Sequence, residues 1–306
     1  MLNSIELSNF RGFSSVVLQG LQRVNLIVGR NNSGKTSLLE AIAFLSRPKQ
    51  PQEMAKLLRP QFGNAEQRYF RWLMKDEPKI RTASITGQQE GMHREVLFFR
   101  DQPRPLLQAQ VQSGYDQIHN GAAVQIMVKR EMKPLGCKVV SVEPMQPQQL
   151  VALFANAVKR RRGEEQIEGM LREMDGRIQK IRVYPAPDGN QIEVDLGLSE
   201  MLPLTQVGQG INRLVAIFSE LVGAQPDVCI IDEIENGIHH SLLEQVWKGI
   251  AVAAESLNVQ VFATTHSYEC IEAAHAAFSK RKTYDLGIIQ LFRVESRDQG
   301  RLLDRK

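Results

Sequence analysis

The sequence has 306 residues, of which 24% are charged and 42% hydrophobic, and its formal net charge is 38 − 34 = +4. This balance is typical of a globular chain of one or two domains and excludes a disordered one. The mild basic excess permits contact with nucleic acid but does not indicate it. No apolar run approaches the ~20 residues that span a bilayer, and the first residues do not resemble a signal peptide. Three cysteines, none in a C-x-x-C pair, exclude a disulfide scaffold and a cysteine zinc site. We therefore expect a soluble, cytoplasmic protein without a membrane partner.

The first third of the chain predicts a hairpin, a buried strand and a helix. Apolar residues alternate on both sides of Arg11-Gly12, which predicts the hairpin. Residues 23–28 form an apolar run that ends at a glycine, as buried strands often do. Apolar residues at helical spacing follow and stop at Arg47-Pro48, and the polar stretch 47–52 predicts a linker.

The middle of the chain is predicted to be rich in strands. Between about residues 79 and 143 the apolar period is two, which favours antiparallel strands. They are predicted over 80–86, 95–100, 106–111, 124–129 and 138–142. Two helical patterns follow, over 150–158 and 167–174, and then two strands over 178–184 and 191–196.

The last third alternates between helices and strands, which predicts a parallel sheet. The predicted helices cover 209–223, 241–255 and 267–278, and the predicted strands cover 228–231, 259–263 and 288–294. An α/β body is therefore split in sequence around the strand-rich middle.

Residues 29–36 match the phosphate-binding pattern G-x-x-x-x-G-K-[ST]. In such a loop the backbone N–H groups face the phosphates, the lysine (Lys35) contacts the β- and γ-phosphates, and the hydroxyl of Thr36 ligates Mg²⁺. The helix that follows adds its positive N-terminus. We therefore predict an ATP-binding site made of Gly29, Asn31, Asn32, Ser33, Gly34, Lys35, Thr36 and Ser37.

Two other predicted strands end in polar residues that could complete this site. Asp232 and Glu233 follow the apolar run 228–231, so Asp232 could face Mg²⁺ and Glu233 could accept a proton from the attacking water. His266 follows the next strand, where a sensor of the γ-phosphate would lie. Solvated acids and a surface histidine are the plainer interpretation of each pattern alone, but their combination with the phosphate loop favours a catalytic set of Lys35, Glu233 and His266.

Together these motifs resemble those of the ABC-type ATPases of the SMC, RecF and OLD group. Residues 9–13, Asn-Phe-Arg-Gly-Phe, resemble an N-terminal element of the group, which implies that Arg11 lies near the nucleotide. Residues 265–267 resemble its switch-histidine loop. Residues 207–213 occupy the position of its signature motif, where Gly208 replaces the usual serine while Gly208 and Gly210 still permit backbone N–H donation to phosphate.

The resemblance implies an α/β fold, a P-loop NTPase of the ABC-ATPase type with an antiparallel β-rich lobe and a small helical insertion. We predict the ATPase core over 1–50 and 200–306, the β-rich lobe over 51–146, and the helical insertion with its return strands over 147–199. Gln61, Gln88 and Gln89 are candidates for the Q-loop glutamine of the group, and the pattern does not choose among them.

In that group two heads close around two ATP molecules, and each signature loop contacts the γ-phosphate bound by the opposite head. The resemblance therefore implies a homodimer or higher oligomer. Residues 235–239 are closer to the Glu-x-x-x-His pattern of OLD-like stand-alone ATPases than to a transporter. Only about 40 residues follow His266, fewer than a nuclease domain needs, and no coiled-coil arms are predicted. We expect an ATP-hydrolysing switch that gates a separately encoded effector, for example a nuclease, in phage defence or DNA maintenance.

Two alternatives to this switch stay open. A RecF-like DNA-binding repair ATPase would bind duplex DNA across the head dimer, and a scaffold locked by ATP would hydrolyse it only incidentally. Contact with nucleic acid is therefore undecided by the sequence. A P-loop GTPase is less well supported, because no N-K-x-D motif for base recognition occurs in the chain.

Overall fold

The computed structural model describes residues 1–48, 69–70, 72–75, 79–100, 104–120, 124–142, 145–187, 189–292 and 301–302. Its strands are β1 (Leu2–Phe10), β2 (Phe13–Gln19), β3 (Val24–Val28), β4 (Thr82–Gln89), β5 (Met92–Phe99), β6 (Tyr115–Asn120), β7 (Gln125–Lys129), β8 (Cys137–Val140), β9 (Lys180–Ala186), β10 (Gly189–Asp195), β11 (Leu202–Pro203), β12 (Val228–Ile231), β13 (Gln260–Thr265), β14 (Leu286–Gln290) and β15 (Arg301–Leu302). Its helices are α1 (Lys35–Ser46), α2 (Arg104–Gln112), α3 (Pro147–Val158), α4 (Gly163–Arg172), α5 (Leu204–Val207), α6 (Gln209–Ala224), α7 (Leu243–Ser256) and α8 (Tyr268–Ser279), and a 3₁₀ turn covers His240–Leu242.

A mostly parallel sheet with the order β15-β14-β3-β13-β12-β8 lies at the centre of the fold. Its strands β14, β3, β13, β12 and β8 run parallel, and β15 pairs antiparallel at one edge. Strand β12 illustrates why these segments are predominantly apolar: Cys229 and Ile231 enter one hydrophobic core, while Val228 and Ile230 enter the other. A parallel sheet that is covered on both faces needs such continuous apolar runs.

The second sheet is antiparallel and contains the predicted N-terminal hairpin, with the order β2-β1-β4-β5-β7-β6. It shares a core with α1 and with one face of the parallel sheet. The third sheet, β11-β10-β9, shares the opposite core with α3, α4 and α6. Among the described residues, no helix is long and apolar enough to cross a membrane.

Most of the predicted elements are present, and some boundaries shift by a few residues. The hairpin, β3, α1, the two middle helices and the helices and strands of the last third are confirmed. The strand predicted over 288–294 begins earlier and ends at Gln290. The linker predicted over 47–52 lies outside the described residues from position 49 onward.

Two predicted strands are wrong in type or pairing. Residues 106–111 lie in helix α2, because leucine, alanine and glutamine favour a helix and a proline at the second helical position suits its start. The strand predicted over 138–142 is not antiparallel, since β8 pairs in parallel with β12. The sequence also missed β6, β11, β15 and α5.

Three phenylalanines join the antiparallel sheet to α1. The ring of Phe44 on α1 meets the rings of Phe10 and Phe98 edge-on, at centroid distances of 6.3 and 5.6 Å, and Phe10 and Phe98 are 5.5 Å apart. All three are fully buried, and aromatic pairs of this geometry add to the energy of burial.

We expect Phe44→Ala to lower the free energy of unfolding by about 3–5 kcal/mol, because it opens a cavity at the junction of two layers. Chemical denaturation monitored by circular dichroism measures this loss. Val17→Ala is the control: that side chain on β2 is 45% exposed and its truncation should cost less than about 0.5 kcal/mol. Equal losses in the two variants would contradict the packing described here.

Candidate functional site

The glycine-rich loop joins the end of β3 to the start of α1, and its backbone requires two glycines. Gly34 has φ +96°, and a Cβ there would lie 2.5 Å from the ring of Phe13. A Cβ at Gly29 would lie 2.5 Å from Ser33 Oγ and 2.8 Å from the carbonyl oxygen of Leu291. The loop is therefore folded too tightly for side chains at either position.

The side chain of Lys35 folds back over this loop. Its Nζ donates to the carbonyl oxygens of Gly29, at 2.7 Å, and Arg30, at 3.1 Å. Burial lowers the pKa of Lys35, and the negative charges of Glu233, Asp232 and Glu235 act in the opposite direction. The Lys35 ammonium group therefore interacts electrostatically with the carboxylates of Asp232, Glu233 and Glu235, which places all four groups in one site. Ser33 Oγ, in the same loop, is buried and has no hydrogen-bond partner among the described residues.

The two acids predicted after β12 are held by a threonine of the neighbouring strand. Thr264, which is fully buried on β13, donates from Oγ1 to Asp232 Oδ1 at 2.6 Å. The same hydroxyl oxygen accepts the backbone N–H of Glu233 at 2.8 Å. Glu233 has φ +46°, in the left-handed region that non-glycine residues occupy at a cost unless their surroundings hold them. Thr264 is one of the groups that hold it.

An arginine of helix α6 fixes the same turn from another side. Arg213 donates from one terminal nitrogen to the carbonyl oxygens of Asp232, at 2.5 Å, and Glu233, at 2.9 Å. Its other terminal nitrogen donates to the carbonyl oxygen of Ser141 at 2.9 Å. Burial lowers the pKa of Arg213, while the charges of Asp232, Glu235 and Glu233 raise it. Helix α6, which begins at the predicted signature loop, is thereby bonded to the turn after β12.

His266 lies next to a third carboxylate, that of Glu235. Glu235 Oε1 accepts hydrogen bonds from Thr265 Oγ1 at 2.7 Å and from the backbone N–H of His266 at 3.0 Å. The ring nitrogen Nδ1 of His266 lies 3.1 Å from the same oxygen. The His266 side chain is 48% exposed and that of Glu235 only 11%. The histidine ring is therefore accessible to solvent, while the carboxylate beside it is largely buried.

The predicted signature loop lies at the start of α6. Gly208 is exposed and has φ +119°. A Cβ at Gly210 would lie 2.9 Å from the carbonyl oxygen of Gly237, so the loop packs against the segment that follows the turn after β12. The backbone at Gly208 is therefore open to solvent, while Gly210 is packed against the protein.

Arg11 and the predicted glutamines lie in the antiparallel layer. Arg11 donates to both carboxylate oxygens of Glu40 on α1, at 2.9 and 2.8 Å, and to the carbonyl oxygen of Trp72 at 3.0 Å. These contacts tie the hairpin turn to the helix that follows the phosphate loop, and a role for Arg11 at the nucleotide stays a prediction. Gln88 and Gln89 lie on β4 and contact His93 and Arg94, and Gln61 is outside the described residues.

Sequence reasoning brought Lys35, Asp232, Glu233 and His266 to one site but missed three residues that hold them. Arg213, Thr264 and Glu235 lie within stretches that the motifs already covered. Two features of the sequence could have indicated two of them. Thr264 lies near the end of the strand predicted next to the acids, and Glu235 is an acid two positions after Glu233. Hydroxyl and carboxylate oxygens suit Mg²⁺, so Thr36 and Asp232 are appropriate ligands for the ion that accompanies a bound nucleotide.

Comparison with known proteins finds ATPase domains among the similar sequences. A family model described as "AAA ATPase domain" matches residues 1–89, and another, described as "AAA domain, putative AbiEii toxin, Type IV TA system", matches residues 140–272. An "ATP/GTP phosphatase" of Helicobacter pylori is 22% identical over 89% of this chain and 87% of that protein.

Two further comparisons cover very different lengths. A "DNA replication and repair protein RecF" of Idiomarina loihiensis is 52% identical over 44 residues, which are 14% of this chain and only 12% of that protein. The solved structure entitled "Crystal structure of the SmcHead bound to the C-winged helix domain of ScpA" matches the fold with a TM-score of 0.63 at 12% identity. That match covers 99% of this chain and 97% of the other.

The fold is that of a P-loop domain of the ABC-ATPase type. The family models and the relatives make the chain similar to the ATPases of the SMC and RecF group.

We expect Thr264→Val to damage both stability and catalysis, because valine keeps the shape of threonine but removes the hydroxyl that holds Asp232 and Glu233. Leaving buried polar groups unpaired costs about 1–3 kcal/mol, which urea denaturation measures. Phosphate release from ATP should fall at least about tenfold, as expected when catalytic groups lose their positions.

Thr205→Val is the matched control, since Thr205 is exposed on α5. It should leave both the stability and the rate unchanged. A Thr264→Val protein with the stability and rate of the wild type would contradict the role assigned to this hydroxyl.

Proposed function

We propose that this chain binds ATP with Mg²⁺ at the loop of residues 29–36, hydrolyses it, and uses the cycle as a molecular switch. One observation carries the proposal: Lys35, the pair Asp232 and Glu233, and His266 converge at the carboxyl ends of three adjacent parallel strands, β3, β12 and β13. The phosphate loop alone would support nucleotide binding. The acids and the histidine beside it support hydrolysis.

Each residue then has a distinct task. Lys35 exchanges the carbonyl oxygens of Gly29 and Arg30 for phosphate oxygens, and the backbone N–H groups of the loop bind the same anion. Thr36 and Asp232 hold the metal ion, which supplies further positive charge to the phosphates when bound. Glu233 accepts the proton of the attacking water, and His266 contacts the γ-phosphate.

The two nearby glutamates are equipped differently for these tasks. Among the described residues, the Glu233 carboxylate has no hydrogen-bond partner, whereas the Glu235 carboxylate accepts bonds from Thr265 and His266. A general base needs a free oxygen that water can reach, and the oxygen of Glu235 that has no partner among the described residues, Oε2, is buried. This difference supports Glu233 as the base.

A head dimer completes the proposed site. The exposed backbone of Gly208 and the neighbouring Gly210 offer N–H groups to the γ-phosphate held by a second copy, so ATP shifts the population towards the closed dimer. The division into an ATPase core (1–50 and 200–306), a β-rich lobe (51–146) and a helical insertion (147–199) is part of this proposal. The sheets cross this division, because β8 of the lobe segment joins the parallel sheet and β1 of the core segment pairs with β4 in the antiparallel sheet.

The switch gates a separately encoded effector, such as a nuclease, in phage defence or DNA maintenance. The toxin–antitoxin system named in the family description for residues 140–272 supports the defence role. The short RecF match supports the alternative of a DNA-binding repair ATPase. An ATP-locked scaffold with incidental hydrolysis is less well supported, because Glu233 is retained.

We expect Glu233→Gln to accumulate as an ATP-bound dimer, because the variant keeps the phosphate-binding groups but lacks the base. Size-exclusion chromatography with light scattering, with and without Mg·ATP, measures the mass. Lys35→Ala should stay monomeric in the same experiment, because it lacks the charge that binds the phosphates.

Three outcomes separate the hypotheses. An ATP-dependent dimer of the Gln variant supports the switch. Co-elution with duplex DNA in a parallel run, with a steep dependence on salt, would favour the repair ATPase. A Gln variant that stays monomeric under every condition would contradict a self-sufficient head dimer.

A further inference from the structure

The carboxylate of Glu235 links the two loops that carry the proposed catalytic groups. Glu235 follows β12 by four residues, and its Oε1 bonds Thr265 and His266 at the end of β13. Thr265 is fully buried, and its hydroxyl oxygen also accepts the backbone N–H of Ser267 at 3.0 Å. The loop that carries His266 is therefore fixed on both sides of the histidine.

The contact with the imidazole ring has a chemical consequence. A carboxylate oxygen 3.1 Å from Nδ1 favours a hydrogen on that nitrogen, since a lone pair facing the oxygen would be repelled. In that tautomer Nε2 is the nitrogen without a hydrogen when the ring is neutral. Neutral His266 then presents a lone pair at Nε2, and protonated His266 presents an N–H that can donate to a phosphate oxygen.

A purely structural role would not need a carboxylate in this place. The bonds to the Thr265 hydroxyl and the His266 backbone could be accepted equally well by a neutral amide oxygen. Instead a carboxylate that is only 11% exposed is present, and its second oxygen, Oε2, is buried without a hydrogen-bond partner among the described residues. Burying a charged group is unfavourable unless it is paired, and the His266 ring is the ionisable group in direct contact with this carboxylate.

We propose that Glu235 is a positioning residue for catalysis: it holds His266 in the Nδ1–H tautomer, with Nε2 directed at the γ-phosphate. The inference rests on the proposed ATPase function and adds to it a residue that acts on the γ-phosphate through His266. The two glutamates therefore have different roles: Glu233 accepts a proton from the water, and Glu235 orients His266.

The tautomer can be measured directly, without nucleotide, by long-range ¹H–¹⁵N NMR on protein labelled at its histidine rings. The chain has six histidines, and the signals that disappear in His266→Asn assign His266. We expect neutral wild-type His266 to carry its proton on Nδ1. Glu235→Ala should shift the signals towards the Nε2–H form, while Glu235→Gln should keep the Nδ1–H form because its amide oxygen still accepts.

The same variants separate positioning from binding in kinetics. Glu235→Ala should lower kcat by about 10- to 100-fold, the usual effect of removing a carboxylate that orients a functional histidine, with the affinity for ATP unchanged. Glu235→Gln should recover part of that loss. Glu272→Ala is the control for loss of a negative charge: Glu272 is exposed on α8 and this variant should match the wild type.

Each outcome decides for or against the inference. An Nε2–H tautomer in the wild type, or unchanged tautomer and kcat in a folded Glu235→Ala protein, would overturn it. If Glu235→Ala does not fold, the wild-type tautomer and the Glu235→Gln rate decide the question instead. If the wild type binds but does not hydrolyse ATP, the proposed function fails, and the tautomer alone decides whether Glu235 positions His266.

Discussion

The register between β12 and β13 determines which side chains meet at the site. The two strands run parallel with Ile231 opposite Ala263, so Thr264 and Thr265 extend past the last pair, beside the turn that carries Asp232 and Glu233. The Thr264 hydroxyl reaches that turn, and the Thr265 hydroxyl reaches Glu235. Because side chains alternate along a strand, a slip of one residue would exchange these two threonines and separate the acids from their partners.

The same sheet also brings the phosphate loop to this edge. Strand β3 pairs with β13 up to Val28 opposite Thr265, and the loop of residues 29–34 starts at the next residue. Lys35 thereby comes within the electrostatic influence of three carboxylates that lie about 200 positions away in the chain. Ligand sites of open α/β sheets form at the carboxyl ends of strands for this reason. Arg213 on α6 donates hydrogen bonds to the carbonyl oxygens of the turn after β12. These bonds connect the helix that begins at the predicted signature loop to the candidate site.

The sequence predicted β3, β12 and β13 well because each is a mostly apolar run that is followed by a glycine or by polar residues. It failed where local patterns are ambiguous. Residues 106–111 suit a strand by alternation, but their composition and the nearby Pro105 favour the observed helix. Strand β6 (Tyr115–Asn120) was missed because it is mostly polar. The parallel pairing of β8 with β12 depends on a partner about 90 residues away, which periodicity does not reveal.

For the candidate site, the motifs indicated the groups that would face the substrate and not the groups that hold them. Phosphate-loop spacing and paired acids after a strand follow from chemistry that repeats in many proteins. The supporting bonds of Thr264 and Glu235 depend on strand register, and they become visible only when the fold is known. The antiparallel sheet also supports the site indirectly. Arg11 in its hairpin turn donates hydrogen bonds to Glu40 on α1, the helix that follows the phosphate loop.

Single-turnover release of phosphate from γ-labelled ATP by the purified chain tests the central claim most directly. The account predicts Mg²⁺-dependent release by the wild type, none by Lys35→Ala, and tight ATP binding without release by Glu233→Gln. Release from the wild type no faster than from Lys35→Ala, in protein shown to bind ATP, would contradict it.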